Sequence, residues 1–301
     1  MENNVQESLK VTLLGTGAPP PLMDRFGPST LVEVGTEKFL FDAGRGAMQR
    51  LFQLKIPFAD ISALFFTHLH SDHVVGFPDL WLTGWLGHRW GGRRVPLKVW
   101  GPVGTKEMMS HLEKAFQFDI RVRSHYPREG AAIIAEDFTE GVVYEKNGLK
   151  ITAFEVDHGR VKPAFGFRID YAGRSVVLSG DTRFNENVIR FSQGVDLLVH
   201  EVGSAKEELL RNSEVARIIL GNHTGPEEAG KVFARVKPKL AVYSHFVLLS
   251  DSKVSEPTLQ DLVNLTRKNY SGPLELGEDL MSIEVGDKVQ VRSFTPSDSS
   301  Q

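Results

Sequence analysis

The sequence predicts an α/β (α+β) fold, a four-layer αββα sandwich. Apolar β-rich runs alternate with segments of helical spacing over the 301 residues, and two strand-then-helix halves meet near residue 150. No low-complexity linker or internal repeat separates the halves. We therefore expect one domain over 9–294, with flexible ends at 1–8 and 295–301.

The first half alternates short apolar runs with helical patterns. A strand at 10–14 ends in glycines, a hairpin turns at Gly35, and the run 61–66 is apolar until it meets a polar cluster. Apolar residues recur at helical spacing in the segments between the later strands. The predicted strands are 10–14, 30–34, 38–41, 61–66 and 97–100, and the predicted helices are 46–54, a segment after His73, and 107–118.

The second half is richer in strands. Its predicted strands are 142–144, 150–156, 164–169, 175–178, 197–200 and 240–244, and its predicted helices are 205–220, 226–236 and 257–268. Pro226 suits the first position of a helix, because proline has no N–H to lose there. Short strands complete the chain.

Composition excludes several classes of site and partner. There is no cysteine among the residues, so disulfides, thiolate metal sites and cysteine nucleophiles are excluded. Any metal must be bound by imidazole and carboxylate. The formal net charge of -3 gives no support for a broad nucleic-acid-coating surface. The N-terminal sequence does not resemble a signal peptide, and no run is long and apolar enough to span a membrane, which favours a cytoplasmic protein.

A dense histidine cluster follows the apolar strand at 61–66. Its sequence is Thr-His-Leu-His-Ser-Asp-His over 67–73. His68 and His70 are two positions apart in extended chain, so both side chains can face one ion. Asp72 and His73 follow where the chain turns, and can reach a second ion. This spacing of nitrogen and oxygen donors predicts a metal site rather than a surface histidine patch.

With this cluster, the sequence resembles the metallo-β-lactamase superfamily, in particular its ribonuclease Z-like, arylsulfatase-like and phosphodiesterase-like branch. The resemblance covers almost the whole chain. Its motifs stand at 13–17 (LLGTG), 40–46 (LFDAGRG), 67–73 (THLHSDH), 100–102 (WGP), 179–183 (SGDTR) and 244–246 (SHF).

The resemblance implies two metal ions with a shared carboxylate. It assigns His68, His70, His158 and Asp181 to the first ion, and Asp72, His73, Asp181 and His245 to the second. His158, Asp181 and His245 each come just after a predicted strand, where open α/β sheets place their ligands. Five imidazoles and two carboxylates favour two Zn²⁺ per chain, with Mn²⁺ or Fe²⁺ as alternatives.

The resemblance also implies a catalytic group that does not bind metal. His223 matches the family's extra histidine near the leaving group, and Glu201 matches the acidic residue that orients it; with Asp72 they are the catalytic candidates. The alternative for His223 is a structural role before the helix at 226–236. His200 is expected to be structural, and His88, His111 and His125 to lie on the surface or at a pocket rim.

Three further groups of residues allow two interpretations each. Asp42 is either a turn residue or a carboxylate that supports the metal ligands. Phe77, Trp81 and Trp85 recur at helical spacing, which is typical of core, although they could wall a substrate pocket beside the metals. The arginines of the next segment are either solvated or bind an anionic substrate; they are Arg89, Arg93 and Arg94.

We expect a zinc-dependent metallohydrolase that cleaves phosphoester or sulfate-ester bonds of small aryl substrates, acting as a homodimer without nucleic acid. The alternatives are a ribonuclease Z-type tRNA 3′-processing endonuclease and a lactonase or other carboxyl-ester hydrolase. The tRNA enzymes of the family carry a long arm between the third histidine and the bridging aspartate. In this sequence His158 and Asp181 are too close together to leave room for such an arm. Arg45, the His-Thr-Gly at 223–225 and the lack of an arginine after Phe246 also depart from their pattern.

Overall fold

The computed structural model describes residues 8–87 and 89–295. Residues 1–7, His88 and 296–301 lie outside these ranges, and with them most of the two predicted flexible ends and the expected surface position of His88. Within the described ranges, no helix combines the length and apolar character needed to cross a membrane.

Two mixed β-sheets form the centre of the fold. The first has the order β15-β14-β1-β2-β3-β4-β5-β6 and the second the order β13-β12-β11-β10-β9-β8-β7. The strands of the first sheet are β1 Leu9–Gly15, β2 Ser29–Val34, β3 Glu37–Phe41, β4 Ile61–Phe65, β5 Leu97–Pro102, β6 Ile133–Phe138, β14 Ser282–Val285 and β15 Val289–Arg292. The strands of the second sheet are β7 Gly141–Lys146, β8 Leu149–Glu155, β9 Phe165–Tyr171, β10 Arg174–Leu178, β11 Leu197–Ala205, β12 Leu240–Leu249 and β13 Leu274–Leu276.

Helices cover the outer face of each sheet. The helices are α1 Ala47–Gln53, α2 Ser71–Val74, α3 Phe77–Trp85, α4 Thr105–Ala115, α5 Gln117–Val122, α6 Glu186–Phe191, α7 Glu207–Asn212, α8 Glu214–Leu220, α9 Pro226–Val236 and α10 Leu259–Thr266. Helices α1, α3 and α4 pack on the first sheet, and α6, α9 and α10 on the second.

Alternation along the strands explains this layering. In β3, Phe39 and Phe41 face the core between the sheets, whereas Leu40 faces the helices. In β10, Val176 faces the inner core and Val177 the outer one. Because side chains alternate between faces, a strand that is buried on both sides reads as a continuous apolar run. The predicted αββα architecture is confirmed.

Each sheet is parallel over four consecutive strands that extend to one of its edges. Strands β3 to β6 run in one direction, as do β10 to β13. The loops that leave the carboxyl ends of parallel strands share one edge, which is where such sheets place ligands.

Several elements differ from the predicted ones. The single helix predicted over 107–118 is divided into α4 and α5, because Phe116 leaves helical geometry at φ -97° and ψ 10°. The helix predicted over 205–220 is divided at Ser213, which is extended and caps α8 by accepting a hydrogen bond from the Ala216 N–H at 3.1 Å. Strands β11 and β12 are longer than predicted, and β6 and α6 were not predicted.

Candidate active site

Four of the predicted metal ligands lie on one short stretch after β4. His68 and His70 lie on the loop, and Asp72 and His73 in the single turn of α2. The His73 N–H donates to the His70 carbonyl at 3.1 Å, which folds the chain back on itself. His68, Asp72 and His73 are buried, whereas His70 is exposed.

The second sheet contributes three more donors. His158 follows β8 and Asp181 follows β10. Gly180, just before Asp181, has a φ of +60°, and a Cβ there would lie 2.3 Å from the Phe165 carbonyl oxygen. Only glycine suits both the left-handed conformation and the close approach.

His245 reaches the site through a β-bulge. Glu201 pairs with Ser244 and Val202 with Phe246, so His245 has no partner across the ladder. Its φ is +45°, and the Phe246 N–H next to it donates to the Thr16 carbonyl at 2.9 Å. A bulge re-aims one side chain without ending the strand. This is why β12 continues beyond the site.

One carboxylate oxygen lies at the centre of the cluster. Asp181 Oδ2 lies 3.3 Å from His73 Nε2 and 3.4 Å from His245 Nε2. The same oxygen lies 3.8 Å from the Nε2 atoms of both His68 and His158. Asp181 is therefore placed between both predicted ligand sets.

Within the described ranges, the donors form three overlapping groups that could each hold an ion, the third consisting of Asp181, His223 and His245. In the first group, the donor atoms of His68, His70, His158 and Asp181 all lie within 4.8 Å of one another. Asp72, His73 and His245 form the second group at the same spacing. Within it, Asp72 Oδ2 lies 3.4 Å from His245 Nε2 and 3.6 Å from His73 Nε2. The structure thus brings all seven predicted ligands together.

The imidazole tautomers fit a metal. His73 Nδ1 lies 2.7 Å from Asp42 Oδ2, and His158 Nδ1 lies 2.9 Å from the Asn222 carbonyl oxygen. Both oxygens only accept, so each Nδ1 carries a proton and Nε2, on the side of Asp181, is the atom left to bind a metal. The Nε2 atoms of His68 and His73 are buried and have no hydrogen-bond partner in the described part of the chain, which is costly without a ligand.

Asp42 and Thr67 support this arrangement from behind. The Thr67 N–H and hydroxyl each donate to Asp42 at 2.8 Å, and the Thr67 oxygen lies 3.0 Å from His68 Nδ1. Asp42 has a φ of +59°, which aspartate tolerates better than most residues. Of the two interpretations of Asp42, the geometry favours the supporting carboxylate. No argument from the sequence assigned a role to Thr67 or to the Asn222 carbonyl.

The electrostatics of the cluster centre on Asp181. Burial raises the pKa of Asp181, but the charges of His245 and His73 outweigh it and hold this pKa well below its usual value. Burial lowers the pKa of His73, yet Asp181 and Asp42 raise it overall. For His68, burial dominates and the pKa is lowered. The site is therefore an anionic centre lined by imidazoles.

His223 lies at the edge of the cluster, held by Glu201. His223 Nδ1 lies 3.3 Å from Glu201 Oε2, while Glu201 Oε1 accepts the N–H groups of Thr182 at 3.1 Å and Thr224 at 3.0 Å. Burial lowers the pKa of His223, but the charge and hydrogen bond of Glu201 raise it to about 9. The His223 ring centroid lies 5.0 Å from that of His158.

The other histidines are away from this constellation. His200 is buried in β11, where its Nδ1 lies 2.7 Å from the Glu201 carbonyl oxygen and burial lowers its pKa. This environment fits a structural role for His200. His111 and His125 are exposed on the first helical layer.

The predicted substrate contacts Phe77, Trp81 and Trp85 have to be corrected. All three are fully buried, and Phe77 and Trp81 pack in the core between α3 and the first sheet. The indole N–H of Trp81 donates to the Ala131 carbonyl and that of Trp85 to the Pro127 carbonyl, both at 2.8 Å. Side chains so enclosed cannot contact a substrate; their spacing reflected core packing.

Arg93 does not bind a substrate in this structure either. It is buried, donates to the carbonyls of Gly130 and Trp81, and burial lowers its pKa to about 10. Arg89 and Arg94 remain exposed.

Comparison with known proteins assigns the family. Residues 37–246 match the model of the β-lactamase superfamily domain. The chain is 36% identical over 287 residues to Ribonuclease Z of Mycolicibacterium gilvum, covering 92% of this chain and 96% of that protein. It is 35% identical over 282 residues to Ribonuclease Z of Mycobacterium marinum, covering 92% and 99%.

Solved structures share the fold. The metallo-β-lactamase fold protein YhfI from Bacillus subtilis aligns with a TM-score of 0.72 at 19% identity, covering 92% of this chain and 99% of that one. The short form of human tRNase Z aligns with a TM-score of 0.68 at 22% identity, with the same coverage.

The relatives overturn the predicted partner. A small-molecule ester substrate without nucleic acid was expected, whereas the curated relatives are ribonucleases by name. The expectation was wrong because it relied on a missing arm between His158 and Asp181. These relatives match the present chain over 96–99% of their own length, so they have little room for a long arm either.

The ordered motifs, the two facing sheets and the near full-length relatives agree. The chain belongs to the metallo-β-lactamase superfamily, in its ribonuclease Z-like branch.

Proposed function

We propose that this protein is a metal-dependent phosphodiesterase that cleaves RNA, removing the 3′ extension of tRNA precursors as a ribonuclease Z does. The observation that carries the proposal is the identity of 34–36% to proteins named Ribonuclease Z over nearly their whole length. The clustered His and Asp donors at the carboxyl ends of the strands support a hydrolytic site.

The proposal assigns the donors to two ions. His68, His70 and His158 would hold the first ion, His73, Asp72 and His245 the second, and Asp181 both. Zn²⁺ suits this imidazole-rich set best. Bound divalent ions supply water activation at neutral pH and positive charge for a phosphodiester.

His223 and Glu201 are proposed to serve the leaving group. Glu201 accepts from two backbone N–H groups through Oε1, so its other oxygen is held facing His223 Nδ1. A carboxylate at Nδ1 keeps that nitrogen protonated and turns Nε2 toward the substrate side. A protonated imidazole there can donate to the departing ribose oxygen.

The direct test is cleavage of a precursor tRNA with a 3′ trailer by the purified, zinc-loaded protein. We expect the trailer to be released as one fragment, and the activity to be lost with a chelator and restored by Zn²⁺ or Mn²⁺. Asp181→Ala should neither retain metal nor cleave. Intact precursor under all metal conditions, with two ions bound per chain, would disprove the ribonuclease assignment.

A further inference from the structure

Positive charge is concentrated in one segment of this acidic chain. Residues 86–131 contain nine of the 35 Lys and Arg residues but only four of the 38 Asp and Glu residues, for a net charge of +5. The rest of the chain is therefore at -8, which together give the overall -3. Four of the nine cations precede α4, and one of these, Arg93, is buried. The stretch 105–131, which holds α4 and α5, carries five cations and four carboxylates.

Helix α4, which lies within this segment, begins beside the candidate active site. It begins after β5, beside the metal loop, where a Cβ on Gly104 would lie 3.4 Å from Leu69 Cδ1. Its 11 residues extend about 16 Å away from that edge. Lys106 and Lys114 are exposed eight residues apart on α4, and Phe118 is exposed on the following helix α5.

The far end combines cations with an exposed aromatic ring. Phe118 is 69% exposed, and the Arg121 guanidinium lies 5.8 Å from its ring centroid. The segment around Arg128 is fixed at this end, because the Trp85 N–H donates to the Pro127 carbonyl at 2.8 Å. Cations around an open ring are the elements with which proteins bind a phosphate backbone and stack a base.

Three of these cations form no ion pair with the described residues, although Glu107, Glu113 and Glu129 adjoin Lys106, Lys114 and Arg128 in the sequence. Arg123 pairs with Asp119 at 2.8 Å. Within residues 8–87 and 89–295, no acidic group lies within 4.0 Å of the charged atoms of Lys114, Arg121 or Arg128, so their charges remain available to a ligand.

We propose that an α4–α5 surface, formed by Lys106, Lys114, Phe118, Arg121 and Arg128, binds RNA outside the cleavage site. The cations contact phosphates of a strand that leads away from the metal donors, and Phe118 stacks on an unpaired base. This rests on the proposed function only in taking RNA as the substrate. The surface determines how tightly a long RNA binds, whereas a short diester does not reach it.

The test compares binding and cleavage of a precursor tRNA by the zinc-loaded protein and by a Lys114→Gln/Arg121→Gln variant. Lys231→Gln is the matched control, since Lys231 is likewise an exposed lysine on a helix, but on the other outer layer. We expect the double variant to raise the Kd by about 10-fold, and the slope of log K against log salt to become less negative by about 1.4–1.8. Phe118→Ala should weaken binding by about fivefold or more. Lys231→Gln should match the wild type.

The outcomes separate this proposal from the proposed function. Cleavage by the wild type, with unchanged Kd and salt slope in the double variant, would disprove the surface and leave the ribonuclease. Binding that depends on Lys114 and Arg121 without any cleavage would leave the surface and disprove the ribonuclease. An equal loss of bis(4-nitrophenyl) phosphate hydrolysis in the double variant would show damage to the active site and also overturn the surface.

Discussion

Asp42 is the residue on which the second donor group depends, although it does not face the predicted ions. It accepts from His73 Nδ1 at 2.7 Å and from Thr67 twice, so it fixes both a tautomer and the direction of the loop. Removing its charge leaves His73 free to change tautomer. Supporting carboxylates of this kind are worth about 10–100-fold in metal affinity or activity.

We therefore expect Asp42→Asn to weaken metal affinity by about 10–100-fold. Asparagine also tolerates the positive φ, so the backbone should persist. Chelator competition and metal analysis measure the effect. Asp170→Asn is the matched control, because Asp170 lies on β9 and pairs with Arg168 at 3.0 Å. Equal affinity in both variants would contradict the role given to Asp42.

His223→Ala should leave the metal content unchanged while kcat falls by about 10²–10⁴-fold on RNA. The reason is that His223 sits beside the donor cluster and is held by Glu201. With a diester whose leaving group is 4-nitrophenol the loss should be much smaller, because that group departs without a proton. An equal loss with both leaving groups would argue against proton donation.

At this scale the sequence identified the donors but not their supports. Four of the seven candidate ligands stand in the dense motif at 67–73, whereas His158, Asp181 and His245 were assigned through the resemblance; the fold brings all seven together. Thr67 and the Asn222 carbonyl had no such assignment, because their partners are set by tertiary contacts; Asn222 is 64 positions from His158. The prediction that Trp81 and Trp85 contact the substrate was wrong because apolar residues recur at the same helical spacing whether they face the core or a pocket.

Among the elements, the turn between β10 and Asp181 is tightly constrained. Gly180 and Gly173 both have positive φ, at +60° and +72°. They differ in surroundings: a Cβ on Gly180 would meet the Phe165 carbonyl at 2.3 Å, whereas Gly173 has nothing within 4 Å. Substituting each glycine in turn therefore separates the cost of a left-handed backbone conformation from the cost of a steric contact with Cβ.

We expect Gly173→Ala to lower the free energy of unfolding by about 1–2 kcal/mol, the cost of a left-handed alanine. Gly180→Ala should cost at least about 1 kcal/mol more, because backbone must move. It should also lose metal, since Asp181 moves with it. Urea denaturation with metal analysis provides both readings, and equal unfolding free energies would refute the contact argument.

The elements show where sequence patterns succeed. Continuous apolar runs and alternation predicted most strands, including β3, β4 and β5 of the first sheet and β10, β11 and β12 of the second. The bulge at His245 was not predictable, because it depends on the pairing of β12 with β11 and on the Thr16 carbonyl. The divided helices at Phe116 and Ser213 also reflect tertiary packing rather than local propensity.

For the whole molecule, the donor cluster joins the two sheets. His68 and His73 follow a strand of the first sheet, whereas Asp181 and His245 belong to the second. Bound ions should therefore stabilise the folded chain as a whole, by about 2.7 kcal/mol for each site at a free concentration of 100 times Kd.

We expect Zn²⁺ to raise the Tm of chelator-treated protein and to have little effect on Asp181→Ala. Asp196→Ala is a suitable control, because this carboxylate is likewise buried but binds the Ser175 N–H far from the donors. A Zn²⁺-dependent rise in Tm as large in Asp181→Ala as in the wild type would show that the ions bind elsewhere.

The charge of the whole molecule concealed its distribution. A net charge of -3 argued against nucleic acid, yet residues 86–131 alone are at +5. The net charge of the whole chain does not describe this local excess. A polyanion responds to the local electrostatic field within about 8–10 Å.

The exposure of His70 has a kinetic consequence. Six of the seven donors are buried, and His70 alone faces solvent. Exchange of an ion with a chelator should begin there, with the enclosed donors released afterwards. Substitutions at His70 should therefore change how fast the protein gains or loses an ion more than how many ions it holds at saturation.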